Sequence, residues 1–309
     1  MQKNLNFIFF LLFAISTLSY GKINIDHLEL FPQDTYSQTD NSKNVIQGIS
    51  FYKEYIFTTQ SIRKHKKDIG ILFNILDANG SSIANKELPI ASHGYDLSIE
   101  YLDRSYVYLY TVGEHSNNAL RFKVKLPKST VSTKFSQKLD IILDHKFRLP
   151  KEYRASTGIT LNEDKNYLLA ISRKYIKKLS KIEVTSGHIN IYDKQVLLSN
   201  TEKILYSIPM IKEQITHAVQ GIAMSGDLIY TLSGNNKPND RKMLVIYHKK
   251  KGFVKKYYLM RPSNMLDKWS KWELEGLAIY NNMLITTINA KKKNSNRRHK
   301  YILTLLPML

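Results

Sequence analysis

Hydrophobic residues along most of the chain occur in short runs and do not repeat with the spacing of a helix. Runs rich in Ile, Tyr, Val, Leu and Thr alternate with clusters of Asn, Gly, Asp and Lys. Turn sequences such as Asp77-Ala-Asn-Gly and Lys249-Lys-Lys-Gly separate the runs. Short β-branched and aromatic runs between turn residues are typical of antiparallel strands. The pattern predicts an all-β protein.

A local pattern recurs five times: a polar residue, a glycine or small turn, a short strand, a tight turn and a second apolar strand. The copies fall near residues 48, 94, 158, 221 and 276, about 46 to 64 residues apart. A period of this size indicates propeller blades, because each small sheet needs neighbours to cover both of its faces. The five copies begin with Val45-Ile-Gln-Gly-Ile-Ser-Phe, His93-Gly-Tyr-Asp-Leu-Ser-Ile-Glu, Ala155-Ser-Thr-Gly-Ile-Thr-Leu, Ala218-Val-Gln-Gly-Ile-Ala-Met and Leu274-Glu-Gly-Leu-Ala-Ile.

The sequence therefore predicts a five-bladed β-propeller over residues 45–309, with blades that start near residues 45, 93, 155, 218 and 273. A pair of β-sandwiches is the alternative, but sandwiches give no reason for a repeated glycine-led strand. Residues 22–44 are polar, and we interpret them as a lead-in segment with a strand that closes the ring by joining the last blade.

The first residues predict the compartment. A positive start at Met1-Gln-Lys-Asn, an apolar run over residues 5–18 and small residues near Gly21 are typical of a cleaved signal peptide over residues 1–21. The run is short for a membrane span, and an uncleaved anchor is the alternative. We expect the mature protein to be secreted, either extracellular or periplasmic.

The amino-acid composition limits the kinds of site and partner that the chain can have. The chain has 46 Lys and Arg residues against 26 Asp and Glu, a formal net charge of +20, and it has no cysteine. The lack of cysteine excludes disulfides, thiolate zinc sites and cysteine nucleophiles. The positive charge favours partners such as nucleic acid, anionic lipid, teichoic acid or lipopolysaccharide. A solubilising surface, or a lysine-rich residue usage in the source organism, is the alternative explanation.

Several segments resemble one known family, the helveticin J and teichoic acid biosynthesis protein C-like five-bladed propellers. They also resemble the propeller of a staphylococcal phage receptor-binding protein. The similarity covers residues 45–309, apart from a third blade that is hard to align and Ala91-Ser92, where the family has a glycine-rich element. It implies a propeller with a cell-surface, bacteriocin-like or polyanion-binding role and no established reaction. The segments are Gln47-Gly, His93-Gly-Tyr-Asp-Leu-Ser-Ile-Glu, Val219-Gln-Gly-Ile-Ala and Trp272-Glu-Leu-Glu-Gly-Leu-Ala-Ile-Tyr.

The repeat also predicts where polar side chains gather. If each glycine-led strand is the innermost of its blade, the residues before it meet at one mouth of the central channel. Such a group could bind a small ligand, or a hard cation such as Ca²⁺ through oxygen atoms, and we expect no other cofactor. A tryptophan there could stack on a sugar or simply pack, and a polar lining that holds water is the alternative. The predicted channel-mouth residues are Gln47, His93, Asp96, Thr157, Gln220, Trp272 and Glu275.

Lysine and arginine are dense in three of the five hairpins that follow the glycine-led strands. We expect these hairpins on the face opposite the channel mouth, where their charges would form a directed patch for phosphate-bearing polymers. Surface lysines that bind nothing are the alternative. The predicted polyanion-binding residues are Arg63, Lys64, Lys66, Lys67, Arg173, Lys174, Lys177, Lys178, Lys291, Lys292, Lys293, Arg297 and Arg298.

Common enzyme signatures are missing from the sequence, including the Gly-x-Ser-x-Gly elbow, the His-Glu-x-x-His zinc motif and phosphate-binding glycine loops. The sequence favours a secreted monomer that binds an anionic cell-envelope polymer or glycan, with electrostatic attraction to membrane surfaces and no specific nucleic acid partner. A metal-dependent propeller hydrolase, either a phytase-like esterase or a lactonase with Asp96 and Glu275 as ligands, is one alternative. A structural exoprotein with neither activity is the other.

Overall fold

The fold is a ring of five sheets, which confirms the predicted five-bladed β-propeller. A computed structural model describes residues 45–64, 67–89, 96–113, 118–128, 137–149, 156–178, 181–199, 201, 203–234, 241–259, 269–292 and 298–307. The predicted signal peptide and lead-in segment lie outside the described residues.

Each blade is an antiparallel sheet that starts with its innermost strand. Blade 1 contains β1 (Ile46–Tyr52), β2 (Tyr55–Lys64), β3 (Lys67–Leu76) and β4 (Ser82–Leu88). Blade 2 contains β5 (Ser98–Tyr101), β6 (Tyr106–Val112) and β7 (Asn118–Lys125). The short β8 (Gln137–Lys138) then pairs in parallel with β4, and β9 (Ile141–Arg148) completes blade 2.

The remaining blades follow the same order. Blade 3 contains β10 (Ser156–Leu161), β11 (Tyr167–Lys178), β12 (Lys181–Asp193) and β13 (Ile204–Pro209). Blade 4 contains β14 (Val219–Ser225), β15 (Leu228–Ser233), β16 (Lys242–His248) and β17 (Gly252–Leu259). Blade 5 contains, among the described residues, β18 (Trp269–Tyr280), β19 (Met283–Lys292) and β20 (Arg298–Pro307). Two single helical turns, α1 (Lys194–Leu198) and α2 (Lys212–Ile215), lie in connections of blades 3 and 4.

Hydrophobic side chains join neighbouring blades. Because successive residues of a strand point to opposite sides, Ile222 and Met224 of β14 pack against blade 3, whereas Ala223 packs against blade 5. Among the described residues, one buried hydrophobic cluster lies at each of the five blade interfaces. Both faces of every blade are therefore covered by neighbours, as the repeated pattern predicted.

The inner strands come closest together at glycines near the axis. A Cβ atom on Gly221 would lie 2.8 Å from the carbonyl carbon of Gly276, and one on Gly276 would lie 3.0 Å from the Cα atom of Gly48. Gly276 also has a left-handed φ of 62°. A side chain at these positions would displace the backbone of the next blade. The repeated glycine of the sequence is thus required by the closure of the ring.

Blade 2 has an aspartate where the other four blades have this glycine. The other inner strands contain Gly-Ile-Ser, Gly-Ile-Thr, Gly-Ile-Ala or Gly-Leu-Ala, and the matching segment of blade 2 is Asp96-Leu-Ser. Asp96 has a left-handed φ of 59° and abuts both Gly48 and Gly158. The sequence repeat aligned Gly94 of the His93-Gly pair with the glycines of the other blades. The structure instead places Asp96, two residues later, at that position. We call Gly48, Asp96, Gly158, Gly221 and Gly276 the axial ring.

The propeller has two faces. The inner strands begin at one face, which we call the start face, and end at the opposite face, which we call the turn face. At the turn face, a short turn joins each inner strand to the second strand of its blade; the turns are residues 53–54, 102–105, 162–166, 226–227 and 281–282. Because the second strand is antiparallel to the first, it returns to the start face: Ile46 pairs with Gln60, and Lys64 and Lys67 lie just beyond. The basic hairpins therefore share the face of the channel mouth, and the expectation that they lie opposite it was wrong.

Asn289 links the last blade to the first. Its Oδ1 accepts the Ile46 N–H at 3.1 Å, and its Nδ2 donates to the Ile46 carbonyl oxygen at 3.1 Å. Both residues are buried, and 243 positions separate them in sequence. The side chain thus satisfies both backbone groups of Ile46 at the point where the ring closes.

We expect Asn289→Ala to destabilise the fold strongly, because it leaves a buried N–H and a buried carbonyl without partners. Each such group costs about 1–3 kcal/mol, so the free energy of unfolding should fall by about 2–6 kcal/mol in chemical denaturation. Asn166→Ala, at an exposed turn position, is the control and should stay within about 0.5 kcal/mol of wild type. Equal losses in both variants would contradict this role for Asn289.

Candidate functional site

Four of the predicted channel-mouth residues lie at or beside the axial ring, and they are buried. Gln47, Asp96, Gln220 and Glu275 are each no more than 4% exposed. His93 lies outside the described residues. Thr157 lies in β10, but its side chain is outside what the structure describes. The sequence thus identified a polar group at the start of the inner strands, and the structure places it inside the ring.

Asp96 has an unusual electrostatic environment. Burial raises the pKa of its carboxyl well above the usual range, and interactions with the backbone N–H groups of Ile222 and Leu277 partly oppose this rise. Neither carboxyl oxygen forms a hydrogen bond of good geometry within the described part of the chain. Its Oδ2 occupies space that a Cβ atom on Gly158 would need, at 2.5 Å. An acid group therefore lies among the inner strands of four other blades.

The amides beside the axial ring add more acceptor oxygens. Among the described residues, the Oε1 atoms of Gln47 and Gln220 have no hydrogen-bond partner, whereas Gln220 Nε2 donates to Glu273 Oε1 at 3.2 Å. Carboxylate and amide oxygens are ligands that Ca²⁺ accepts. However, no group of three or more His, Cys, Asp or Glu side chains in the described ranges is arranged to hold a metal ion. Calcium at this position stays a prediction.

Trp272 does not offer an open ring face to a ligand. Its side chain is buried at the interface of blades 4 and 5, and Lys242 Nζ lies 4.7 Å from the ring centroid. Lys242 is itself buried. A cation over an indole face is a stabilising arrangement. Of the two roles that the sequence allowed for this tryptophan, the structure therefore favours packing.

Basic residues at the start face come from the ends of long second and third strands. By strand pairing, Lys292 lies opposite Trp269 near the start of β18, and Lys178 lies opposite Lys181 at the tip of the blade 3 hairpin. Lys174 is exposed and Lys291 is half-buried. Lys66, Lys293 and Arg297 lie outside the described residues, as do the side chains of Arg63, Lys64, Lys67, Lys177, Lys178, Lys292 and Arg298.

Arg173 differs from the predicted exposed cations. Its side chain is only 6% exposed, and its Nη2 donates to the carbonyl oxygen of His217. The guanidinium thus fixes the segment that enters blade 4. It points toward blade 4 because residues two apart in a strand share a side, and Leu169 and Ile171 of β11 pack at the interface of blades 3 and 4.

Blades 1 and 5 place two of the three basic hairpins side by side. The two blades are neighbours in the ring, since Gly276 abuts Gly48. Lys300 Nζ lies 3.4 Å from Gln60 Oε1 across this interface. The strand ends at Lys64 and Lys67 in blade 1 and at Lys292 and Arg298 in blade 5 therefore belong to neighbouring blades, and we call these four residues the basic sector. The β11–β12 hairpin belongs to blade 3, which neighbours neither blade 1 nor blade 5.

Comparison with known proteins gives a family and a fold. A family model described as a phage 5-bladed beta propeller receptor binding platform domain matches residues 45–294. The tail fiber of Staphylococcus aureus phage P68 is similar in structure, with a TM-score of 0.61 and 16% identity over 94% of this chain and 55% of that chain. An exo-beta-1,3-galactanase from Clostridium thermocellum gives a TM-score of 0.50 and 10% identity over 91% of this chain and 62% of that chain.

These structural likenesses concern the fold alone, and the chain spans just over half the length of the tail fiber that it matches. Among curated proteins, none matches the sequence. Within the described residues, no helix has the length and hydrophobicity needed to cross a membrane.

Asp96→Asn should remove a pH-dependent loss of stability. Because burial raises the pKa of Asp96, the folded state keeps a proton that the unfolded state releases above about pH 4. Wild type should therefore lose stability as pH rises from about 4 to the raised pKa, by about 1.4 kcal/mol for each unit between the two pKa values. Asparagine is neutral throughout this pH range, so the variant should not lose stability for this reason.

Chemical denaturation of both proteins between pH 4 and pH 8 measures the difference. The advantage of Asp96→Asn over wild type should grow with pH, and Asp164→Asn at an exposed turn controls for the change in net charge. If the free energy of unfolding changed with pH in the same way for wild type and Asp96→Asn, the buried carboxyl would ionise without a cost in stability.

Proposed function

This chain belongs to the family of phage five-bladed β-propeller receptor-binding platform domains, and on that premise we propose that it is a secreted protein that binds an anionic cell-envelope polymer. The family description supports a receptor-binding role. The basic start face supports a polyanion as the receptor. A bacteriocin-like role stays a prediction from the resemblance to helveticin J.

The observation that carries this proposal is the convergence of basic hairpins on one face. Antiparallel pairing brings the ends of β2, β11 and β19 back to the level where the inner strands begin. The strand ends that lead into the basic hairpins therefore share the start face. A patch of one sign attracts a polymer of the other sign, and it raises the association rate as well as the affinity.

A polymer with regularly spaced phosphates fits this surface better than a single small anion. The basic sector of blades 1 and 5 and the separate hairpin of blade 3 lie on opposite sides of the axis. A flexible chain can contact both, and each phosphate that a lysine or arginine neutralises releases a counterion. Binding of this kind depends steeply on salt and reads little of the chemical sequence of the polymer.

The hydrolase alternative lacks a supporting observation. Asp96 and Glu275 were its expected metal ligands, and the described residues contain no cluster of acids and histidines arranged for a metal. The galactanase likeness, at 10% identity, concerns the fold only. We therefore do not propose a reaction for this chain.

Charge reversal of the basic sector should abolish binding to poly(glycerol phosphate) teichoic acid. In the variant, Lys64, Lys67, Lys292 and Arg298 are changed together to Glu. Each basic residue near an anionic surface contributes about 1 kcal/mol, so affinity should fall at least about hundredfold in a fluorescence titration. The slope of the logarithm of the binding constant against the logarithm of the salt concentration should become shallower by about 3. Each phosphate contact contributes roughly 0.7 to this slope, and the variant loses four contacts.

The matched control changes four exposed lysines at the turn-face ends of strands to Glu: Lys125, Lys203, Lys250 and Lys251. It alters net charge by the same amount and should reduce affinity far less, because the effect of the sector is local at physiological ionic strength. If both variants lose affinity equally, net charge rather than the start face drives binding. If neither does, the proposal fails.

Export is tested separately. When the full chain is expressed in a bacterial host, the secreted protein should begin at about Lys22, as the proposed signal peptide requires. N-terminal sequencing of the protein recovered outside the cytoplasm gives this directly. Retention of residues 1–21 in the membrane fraction would instead support the uncleaved anchor.

A further inference from the structure

Exposed hydrophobic side chains are concentrated on the turn face. Within the described ranges, nine large hydrophobic side chains are exposed, and eight of them lie in a turn of this face or within three residues of a turn-face strand end. The exception is Tyr258, near the start-face end of β17. Single exposed hydrophobic residues are common in globular proteins, but their confinement to one face indicates a surface that contacts something apolar.

Blade 2 exposes hydrophobic side chains both near the axis and at the rim. Tyr101 and Leu102 lie where the inner strand β5 turns into β6. Ile142 and Leu143 lie at the beginning of the outer strand β9, and Ile142 is 64% exposed. β9 begins at the turn face because it pairs antiparallel with β7, which ends there. The hydrophobic groups of this blade therefore extend from the axis to the edge of the ring.

Blades 3 and 4 continue the same surface. Leu205 is exposed at the beginning of β13, and Leu228 is exposed at the beginning of β15. Phe253 and Val254 follow the hairpin tip between β16 and β17. The ring of Phe253 makes an edge contact with the buried Tyr247, with centroids 6.3 Å apart. Three consecutive blades thus present hydrophobic groups, and one of them is an aromatic ring held at the tip of a hairpin.

Exposed cations flank these hydrophobic groups in each of the three blades. They lie two or three positions away in the chain, or at the end of the strand that pairs with β9. A long basic side chain can cover apolar surface with its methylene groups while its charge stays in water or among lipid headgroups. The flanking cations are Arg104, Lys125, Lys203, Lys250 and Lys251.

Several acids of the turn face are bonded to the protein itself. Asp103 Oδ1 accepts the backbone N–H groups of Ser105 and Tyr106 at 2.7 and 2.9 Å, and Asp227 Oδ1 lies 2.6 Å from Lys249 Nζ. The short aspartate side chains therefore stay close to their own turns. The longer lysine and arginine side chains reach farther from the surface, so an approaching anionic layer meets positive charge first.

The spacing of the hydrophobic groups favours a flat partner. They lie in three neighbouring blades, at the axis in blade 2 and on outer strands in blades 2, 3 and 4. A small ligand or a single peptide segment contacts one such group at a time. A lipid bilayer is a plane that all of them can reach together, and its anionic headgroups complement the flanking cations.

We propose that the turn face docks on an anionic lipid bilayer. Leu102, Ile142 and Phe253 enter the headgroup region, and the flanking cations contact lipid phosphates. The start face then points away from the membrane, where its basic hairpins are available to an envelope polymer. Membrane docking uses the opposite face of the ring and does not depend on the proposed polymer binding.

Site-specific fluorescence on the mature protein tests which face meets the lipid. Because the chain has no cysteine, Phe253→Cys and Tyr258→Cys each give one attachment point for an environment-sensitive dye. Both side chains are 47% exposed and lie near opposite ends of β17, which makes Tyr258 the matched control. With vesicles of phosphatidylglycerol and phosphatidylcholine, the dye at Phe253 should shift to the blue, and the dye at Tyr258 should not.

Vesicle co-sedimentation measures what the hydrophobic groups contribute. Ile142→Ser combined with Phe253→Ser should lower the affinity for the mixed vesicles at least about tenfold, because two apolar side chains no longer enter the headgroup region. Tyr258→Ser should bind as wild type does. Thermal unfolding of the three proteins shows whether the comparison is made between folded chains.

Charge reversal separates the two faces and gives a result even if the serine variant fails to fold. Changing Lys125, Lys203, Lys250 and Lys251 together to Glu should abolish vesicle binding and leave teichoic acid binding in place. Reversal of the basic sector should do the opposite, so each proposal can fail without the other.

Four results would overturn membrane docking. They are a blue shift at Tyr258 rather than Phe253, equal shifts with vesicles of phosphatidylcholine alone, and loss of vesicle binding only when the basic sector is reversed. The fourth is a blue shift at Phe253 that grows with protein concentration in the absence of lipid, which would assign the turn face to a second copy of the chain.

Discussion

Backbone contact at the propeller axis is the constraint on which the other features of this protein depend. Five inner strands meet there, and a Cβ atom at Gly221 or Gly276 would lie within 3.0 Å of the backbone of the next blade. Glycine at the start of the inner strand follows from that distance. Hydrophobic residues directly after the glycine follow as well, since Ile49, Ile159, Ile222 and Leu277 each enter an interface between two blades.

Closure of the ring brings polar groups into the interior, and some of them form hydrogen bonds with residues far away in sequence. Asn289 binds both backbone groups of Ile46, and Arg173 donates to the His217 carbonyl oxygen. Asp96 is different because burial raises the pKa of a carboxyl that has replaced glycine in the axial ring. Its place among the inner strands means that the fold resists its ionisation.

The two faces of the ring have different chemistry for one topological reason. Second strands return to the level at which inner strands begin, so the long basic hairpins of blades 1, 3 and 5 lie on the start face. The short first turns lie on the turn face, where the inner strands leave a small cavity whose lining includes the hydroxyl groups of Ser98 and Thr160 and the residue Lys165.

The sequence alone determined the all-β class, the number of blades and the position of the glycine-led strands, because these depend on local alternation and on a repeat that is written in the chain. It also identified which hairpins are basic. Only the tertiary structure decided that Asp96, rather than the glycine of the His93-Gly pair, stands in the axial ring. It likewise decided that Arg173 and Trp272 are buried between blades and that the basic hairpins share a face with the channel mouth. These outcomes depend on strand register and on contacts between residues far apart in the chain, and composition and spacing carry no information about either.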